Sequence, residues 1–216
     1  MLSIKDLSCE RGYRLLFEHL EFEVNTGDVL RITGGNGSGK TSLLNILAGL
    51  STQFNGDIRF NQTPIKRVRH EYLSSLCYLS HEKGVKLGLT VLENLAWFAS
   101  LYPCKVNDEL ALLEILEVVG LKRFRFQRAA ELSQGQKQRV ALARLLISKA
   151  SLWILDEPFT AIDQSGIKLF ETLISDFAKS GGAVIITAHH PLSIEGQYRE
   201  LRLDDYKAHQ EGAAVC

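Results

Sequence analysis

One short stretch constrains this chain more than any other. Gly34-Gly35-Asn36-Gly37-Ser38-Gly39-Lys40-Thr41 fits the pattern G-x-x-x-x-G-K-[ST]. Before it, residues 28–33 are apolar and β-branched like a buried strand; after it, residues 42–49 read as a helix closed by glycine. Strand, glycine loop and helix in that order form a cradle for phosphate. Successive glycines let backbone N–H groups turn inward, and the helix N-terminus adds positive potential. Lys40 then reaches the β- and γ-phosphates, and the Thr41 hydroxyl holds Mg²⁺. A plain glycine-rich turn is the bland alternative. With strand and helix correctly placed, a nucleoside triphosphate site is the expectation.

At 216 residues, one globular unit is expected, and 45% hydrophobic content suits a substantial core. Acidic and basic side chains cancel at 25 each, so bulk attraction to nucleic acid or an anionic membrane has no support. Cys9, Cys77, Cys104 and Cys216 are widely spread and read as reduced thiols of a cytosol-facing protein. The start alternates like a strand and lacks the layout of a signal peptide. No run approaches the ~20 apolar residues that cross a bilayer. Any membrane span is therefore expected from another polypeptide.

Residues 2–7, about 15–24 and 28–33 read as strands, with a turn at Asn25-Thr26-Gly27. Asn55-Gly56 suggests a hairpin leading into a strand at 57–60. Residues 65–75 read as a polar helix and 76–79 as a short buried strand. Thr90-x-x-Glu93 matches a capping box, opening a helix with Val91, Leu95 and Phe98 on its apolar face and a stop near Pro103. Asn107 is a candidate cap for a second helix carrying Leu112, Ile115, Leu116 and Val119, with Gly120 after it. Lys122, Arg123, Arg125 and Arg128 form a basic stretch, either a solvated face or a docking surface. A third helix runs from near Ser133 to about Ser148. Strand 151–155, helix 164–179 and strand 183–187 follow. Strands alternating with helices imply fold class α/β with a mainly parallel sheet, interrupted by a helical insertion at about 85–145.

The strand at 151–155 runs into Asp156 and Glu157. An Asp ending a buried strand beside a phosphate loop is suited to ordering Mg²⁺, and Glu157 is a candidate to orient or deprotonate an attacking water. Strand ends commonly carry acids; paired with the phosphate loop, hydrolysis is the better reading. Ser133-x-x-Gln136 is another capping box, which accounts for Ser133 and Gln136 structurally. It has no use for Gly135 in the first turn, where glycine weakens a helix. An exposed hydroxyl and a glycine at a helix N-terminus also make an anion site, and the two readings are compatible.

The order of phosphate loop, Leu132-Ser133-Gln134-Gly135-Gln136, Leu155-Asp156-Glu157-Pro158, Thr160-Ala161-Ile162-Asp163 and a histidine after the last strand resembles the ATP-binding subunits of ABC transporters, from residue 2 to about 200. The resemblance implies a P-loop NTPase core sheet, an N-terminal antiparallel β portion and the inserted α-helical subdomain. These form one nucleotide-binding domain over 1–204, with a polar tail at 205–216. It implies ATP hydrolysis with Mg²⁺ held by Thr41 and Asp156, and two such domains sandwiching two ATP molecules. Ser133, Gly135 and Gln136 would contact the γ-phosphate held by the partner's Lys40 loop, Asp163 would lie in the loop coupling the two sites, and His189 would contact γ-phosphate. His190 is a less natural choice for that last role.

Two positions depart from the family pattern. His81 stands where a glutamine is usual; it still hydrogen-bonds water near Mg²⁺ and completes the γ-phosphate pocket, but its charge becomes pH-dependent. Arg11 stands where an aromatic stacks on adenine; its guanidinium plane is a substitute, with Tyr13 or Phe17 as alternatives. Within the family, residues 32–41 and 153–163 and the histidine at 81 resemble the branch serving bacterial cytochrome c maturation, often labelled haem exporters. This implies a peripheral subunit on the cytoplasmic face of the inner membrane, with integral permease-type partners and a second nucleotide-binding subunit. A generic ABC importer or exporter ATPase shares every motif and stays open as the alternative. A soluble ABC protein and a nucleotide-gated module without hydrolysis are further rivals.

Overall fold

A computed structural model describes residues 1–82, 84–101, 106, 108–194 and 198–207. In chain order the elements are β1 (Leu2–Arg11), β2 (Arg14–Val24), β3 (Val29–Thr33), α1 (Lys40–Leu47), β4 (Asn55–Phe60), β5 (Thr63–Pro64), α2 (Arg69–Ser75) and β6 (Leu76–Leu79). Then come α3 (Val91–Leu101), α4 (Glu109–Val118), α5 (Gln134–Ile147), β7 (Leu152–Asp156), α6 (Gln164–Lys179), β8 (Ala183–Thr187) and β9 (Arg199–Arg202). β1, β2, β4 and β5 form an antiparallel sheet in the order β2-β1-β4-β5. The remaining strands form a parallel sheet in the order β6-β7-β8-β3-β9.

β7 and β8 are buried along their whole lengths, as central parallel strands covered on both faces must be. Their alternation divides the core in two. Leu152, Ile154, Ala183 and Ile185, with Leu30 and Ile32 of β3, face α1 and the antiparallel sheet. Trp153, Leu155, Val184 and Ile186 face the other way, into a cluster that takes in the apolar sides of α3, α4, α5 and α6. The parallel sheet is thus the middle layer, which holds its strand ends in fixed register. Among the described residues, no helix is long and apolar enough to cross a membrane.

The α/β reading, the antiparallel N-terminal portion and the helical insertion all stand in the structure. Thr90 and Glu93 form both halves of their capping box, the Thr90 N–H donating to Glu93 Oε2 and the Glu93 N–H to Thr90 Oγ1. Asn107 lies outside the described residues, as do Pro103, Cys104 and Cys216; Asp108 caps α4 by accepting from the Ala111 N–H. Cys9 and Cys77 are buried free thiols.

One expectation fails. Asn55-Gly56 is not a hairpin turn but the beginning of β4, running antiparallel to β1. Gly56 is needed there for closeness, since a Cβ would fall 2.4 Å from the Asp6 carbonyl oxygen. The turn instead falls at Asn61-Gln62, both with positive φ (48° and 66°), the pairing geometry of a tight β4–β5 hairpin. β9 and the 3₁₀ turn that follows it (Leu203–Tyr206) lack any strong sequence signal, yet they add the edge strand beside β3.

Candidate active site

Three parallel strands deliver chemistry to one edge of the sheet. β3 ends in the glycine loop, β7 ends in Asp156 and Glu157, and β8, lying between them, ends in Thr187 with His189 beyond. Ligands of open α/β sheets bind outside the carboxyl ends of the strands in this way. α1 opens directly from the glycine loop with Gly39 at its N-cap and no side-chain cap, so its first N–H groups remain for a ligand or solvent. A cavity of about 540 Å³ collects these parts, lined by residues 36–42, Arg11, Arg14, Leu16, Asp156, Glu157 and His189.

Lys40 folds its Nζ back onto its own loop, donating to the carbonyls of Gly34 (2.7 Å) and Gly35 (3.2 Å). A charged phosphate oxygen is a stronger acceptor than either carbonyl, so the ammonium is placed to exchange them. Gly35 is fixed from below by a residue that no local sequence pattern marks: its N–H donates to Asp204 Oδ2 at 2.9 Å. The Lys207 ammonium and that N–H hold the Asp204 carboxyl below the usual carboxylate range, with the charges of Lys207 and Lys40 adding to the effect.

Asp156 is buried, and its two oxygens differ. Oδ1 accepts from the Thr187 hydroxyl at 2.8 Å, while Oδ2 is buried without a hydrogen-bond partner among the described residues. Glu157 follows in the left-handed region at φ 49°, a conformation that costs a non-glycine residue about 1–3 kcal/mol. Its N–H is pinned by the Thr187 hydroxyl (2.9 Å) and the Thr187 carbonyl (3.2 Å). So held, Glu157 Oε1 stands 3.6 Å from His189 Nε2. His190 turns away and packs its ring against Phe159 at 5.4 Å. The structure thus joins His189, rather than its neighbour, to the cavity.

Ser133, Gly135 and Gln136 lie elsewhere. They line a second cavity of about 420 Å³ together with Gly120, Leu121, Arg123, Phe124, Arg139, Ala161 and Asp163. The two cavities have no lining residue in common. The capping box is complete, the Gln136 N–H donating to Ser133 Oγ at 3.2 Å and the Ser133 N–H to Gln136 Oε1 at 2.8 Å. Gly135 has a structural use after all: a Cβ there would lie 2.7 Å from the Ala161 carbonyl oxygen. Asp163 accepts from Ser165 (2.5 Å) and from Arg139 (2.5 Å), which together bring its pKa down to about 2.

Of the other sequence-selected residues, Arg11 lines the first cavity, Phe17 is fully buried in the core and Tyr13 is fully exposed outside the cavity lining. His81 is exposed on the loop after β6 and does not line the cavity; Leu79 pairs with Leu155, so the loop begins one strand over from Asp156. Arg14 is a cavity residue the sequence reading missed; its alternation with Arg11 across a two-residue hairpin was the available signal. Among the described residues, no three of His, Cys, Asp and Glu gather as a metal cluster.

Comparison with known proteins agrees with this geometry. Residues 17–160 match the ABC transporter family. The cytochrome c biogenesis ATP-binding export protein CcmA of Hahella chejuensis is 47% identical over 204 residues, covering 94% of this chain and 95% of that protein. The protein of the same name from Haemophilus influenzae is 44% identical over 207 residues, covering 96% and 97%. Among solved structures, an ABC transporter ATP-binding protein of Pyrococcus furiosus superposes with a TM-score of 0.83 at 32% identity, covering 96% of this chain and 99% of that one.

Proposed function

The chain belongs to the ABC transporter family, and from that premise we propose that it is the ATP-hydrolysing subunit of a membrane complex serving the haem-handling step of cytochrome c biogenesis. The observation that carries the reading is the single cavity in which the uncapped helix end, Lys40, Asp156, Glu157 and His189 meet.

Phosphoryl transfer to water asks mainly for positioning and charge stabilisation. The backbone of residues 34–41 and the Lys40 ammonium hold the phosphates. Arg11 lays its guanidinium on the base. Thr41 and Asp156 would hold Mg²⁺, and the fit is supported by the unpartnered buried Oδ2 of Asp156 and by the hard-oxygen character of both donors. Mg²⁺ bound with the triphosphate neutralises charge on its oxygens. A site of one hydroxyl and one carboxylate suits an ion that keeps most of its water and takes the rest of its ligands from substrate.

Glu157 orients the attacking water and accepts its proton, held in place by its own N–H donating to the Thr187 hydroxyl and carbonyl oxygens. His189 approaches the γ-phosphate from the same side as Glu157. His81, on the loop that follows the neighbouring strand β6, would complete the γ-phosphate pocket once nucleotide is bound. The signature helix tip at Ser133, Gly135 and Gln136 faces a separate cavity, so a second nucleotide-binding subunit is needed to bring a matching tip over the triphosphate. Permease-type membrane subunits supply the spans, which places the chain peripherally at the cytoplasmic face of the inner membrane.

The test is purification of the full chain with its partners from detergent-solubilised membranes, followed by phosphate-release kinetics. Co-purification with membrane subunits that carry a haem absorption band, and Mg²⁺-dependent phosphate release by the assembly, are expected. Recovery with a solute permease and no haem overturns the cytochrome assignment. An assembly that binds ATP without releasing phosphate overturns the hydrolase assignment.

A further inference from the structure

The β1–β2 hairpin turns at Gly12-Tyr13, which pairs Arg11 with Arg14 directly across the strands. Both arginines line the cavity that holds the glycine loop, and for Arg14 the position over that loop is fixed more closely. A Cβ built on Gly37 would meet the two terminal nitrogens of Arg14 at 3.8 and 4.0 Å and nothing nearer. The Arg14 fork therefore hangs over the phosphate loop itself, with both donor nitrogens close to it. No carboxylate occupies that fork among the described residues: Arg14 makes no salt bridge, whereas Arg31, Arg59, Arg139 and Arg199 each do. Asp156 and Glu157, the acids of the cavity, are engaged by Thr187 and lie against His189 respectively.

An exposed guanidinium whose two terminal nitrogens lie over the glycine loop, beside a helix start with no side-chain cap, is matched by one ligand chemistry, a chain of phosphates. We infer that Arg14 is a phosphate-holding residue of the nucleotide site, closing over the phosphate chain from the hairpin side while Lys40 and the helix N-terminus hold it from the other. The inference deepens the nucleotide reading of this cavity and rests on it. It also changes what the hairpin contributes. Where an aromatic ring would grip only the base, this hairpin brings one cation to the base and a second to the phosphates, so more of the affinity comes from charge. Binding should then depend steeply on salt and weakly on the identity of the base.

The experiment is calorimetric titration of the full chain with ATP, GTP and inorganic triphosphate at two ionic strengths, for the wild type, Arg14→Gln, Arg14→Lys and Lys40→Ala. Arg14 is exposed, so Arg14→Gln should keep the wild-type thermal midpoint. It should weaken ATP and inorganic triphosphate by the same factor, roughly tenfold or more, as expected for loss of a charge-assisted contact. Arg14→Lys should recover part of that loss, because a point charge replaces the fork. Salt sensitivity should fall in Arg14→Gln. If Lys40→Ala weakens binding and Arg14→Gln does not, the inference is overturned and the nucleotide site stands. If Arg14→Gln weakens ATP but leaves inorganic triphosphate unchanged, Arg14 reads base or sugar, and the inference is again overturned. Unchanged binding in Lys40→Ala would instead remove the nucleotide reading beneath it.

Discussion

The Gln138 side-chain amide donates to the Pro158 carbonyl across 2.7 Å, in the buried seam between α5 and the loop that leaves β7. Gly135, Gln138 and Arg139 are three and four residues apart on one face of α5. Each touches that loop: Gly135 against the Ala161 carbonyl, Gln138 on Pro158, Arg139 on Asp163. The loop begins at Asp156 and Glu157. One rigid helix face therefore links the second cavity to the carboxylates of the first, inside a single subunit. Closure of a partner over Ser133 would be felt at Glu157 through this seam.

Gln138→Leu tests the seam. Leucine fills similar volume but leaves the Pro158 carbonyl buried without a donor, a loss of about 1–3 kcal/mol. Chemical denaturation of the isolated subunit should show that loss. In the assembled complex kcat should fall while KM for ATP changes little, because the phosphate loop is untouched. Equal effects on both parameters would show that the seam merely supports the fold.

Gly135→Ala gives an opposite-sign test of the same face. Helix propensity alone predicts a gain of about 1 kcal/mol from alanine at a helical position. The 2.7 Å approach to the Ala161 carbonyl predicts the reverse, since backbone must shift to admit the methyl. The expected net change is a loss of about 1–3 kcal/mol, as for other overpacked contacts. A stabilised variant in urea denaturation would mean that the loop at Ala161 moves aside freely.

These two residues also mark what could be read from sequence. The glycine loop, the capping boxes and the apolar periods of α3 and α4 are local signals that placed their elements closely: Ser133 caps α5, and α6 and β8 also fall on their expected residues. Gly135 was visible as an anomaly, but its cause is a carbonyl 26 positions away in the chain, which no local pattern encodes. Asn55-Gly56 misled for the same reason, because the glycine answers to Asp6 on a neighbouring strand rather than to a turn. Asp204, bonded to Gly35 at a separation of 169 residues, is legible only once β9 has paired with β3. Arg14 could have been found from the hairpin alternation, since a residue paired with Arg11 must share its surroundings.

The Arg139–Asp163 pair has a defined pH window. Hydrogen bonds from Ser165 and Arg139 place the Asp163 carboxyl at about 2, below its ordinary 3.8. A depressed folded-state pKa means that the carboxylate's contribution is complete above the unfolded value and is lost as pH falls through the folded one. The pair should thus be intact from neutral pH down to about pH 4 and disappear between there and about pH 2. The side chain is largely exposed, so solvent screening keeps the stability effect small, and a direct titration is the better readout. Carboxyl carbon NMR should place the Asp163 midpoint near 2 in the wild type and nearer the ordinary value in Arg139→Leu. A normal midpoint in both would show that the bond does not persist in solution.

Glu157→Gln separates binding from chemistry. Glutamine keeps the side-chain volume and leaves the two bonds that the residue 157 N–H donates to Thr187 in place, so the strained conformation at φ 49° should survive. It removes the only change the proposed step needs, acceptance of a proton from water. Loss of a positioned general base lowers turnover by about 10²–10⁴-fold. ATP affinity should stay near the wild-type value, since Lys40, Thr41 and the loop N–H groups are unaltered. Nucleotide that binds and cannot turn over holds the two half-sites together, so dimers should accumulate with ATP and not with ADP on size-exclusion chromatography. Because the Ser133 tip and the Lys40 loop line separate cavities in one subunit, Ser133→Glu should abolish that dimer by setting a carboxylate against the γ-phosphate. Glu157→Gln that stays monomeric with ATP would remove the case for a shared pocket. Turnover that survives in Glu157→Gln would move the proton to another acceptor, with His189, 3.6 Å away, the first to replace.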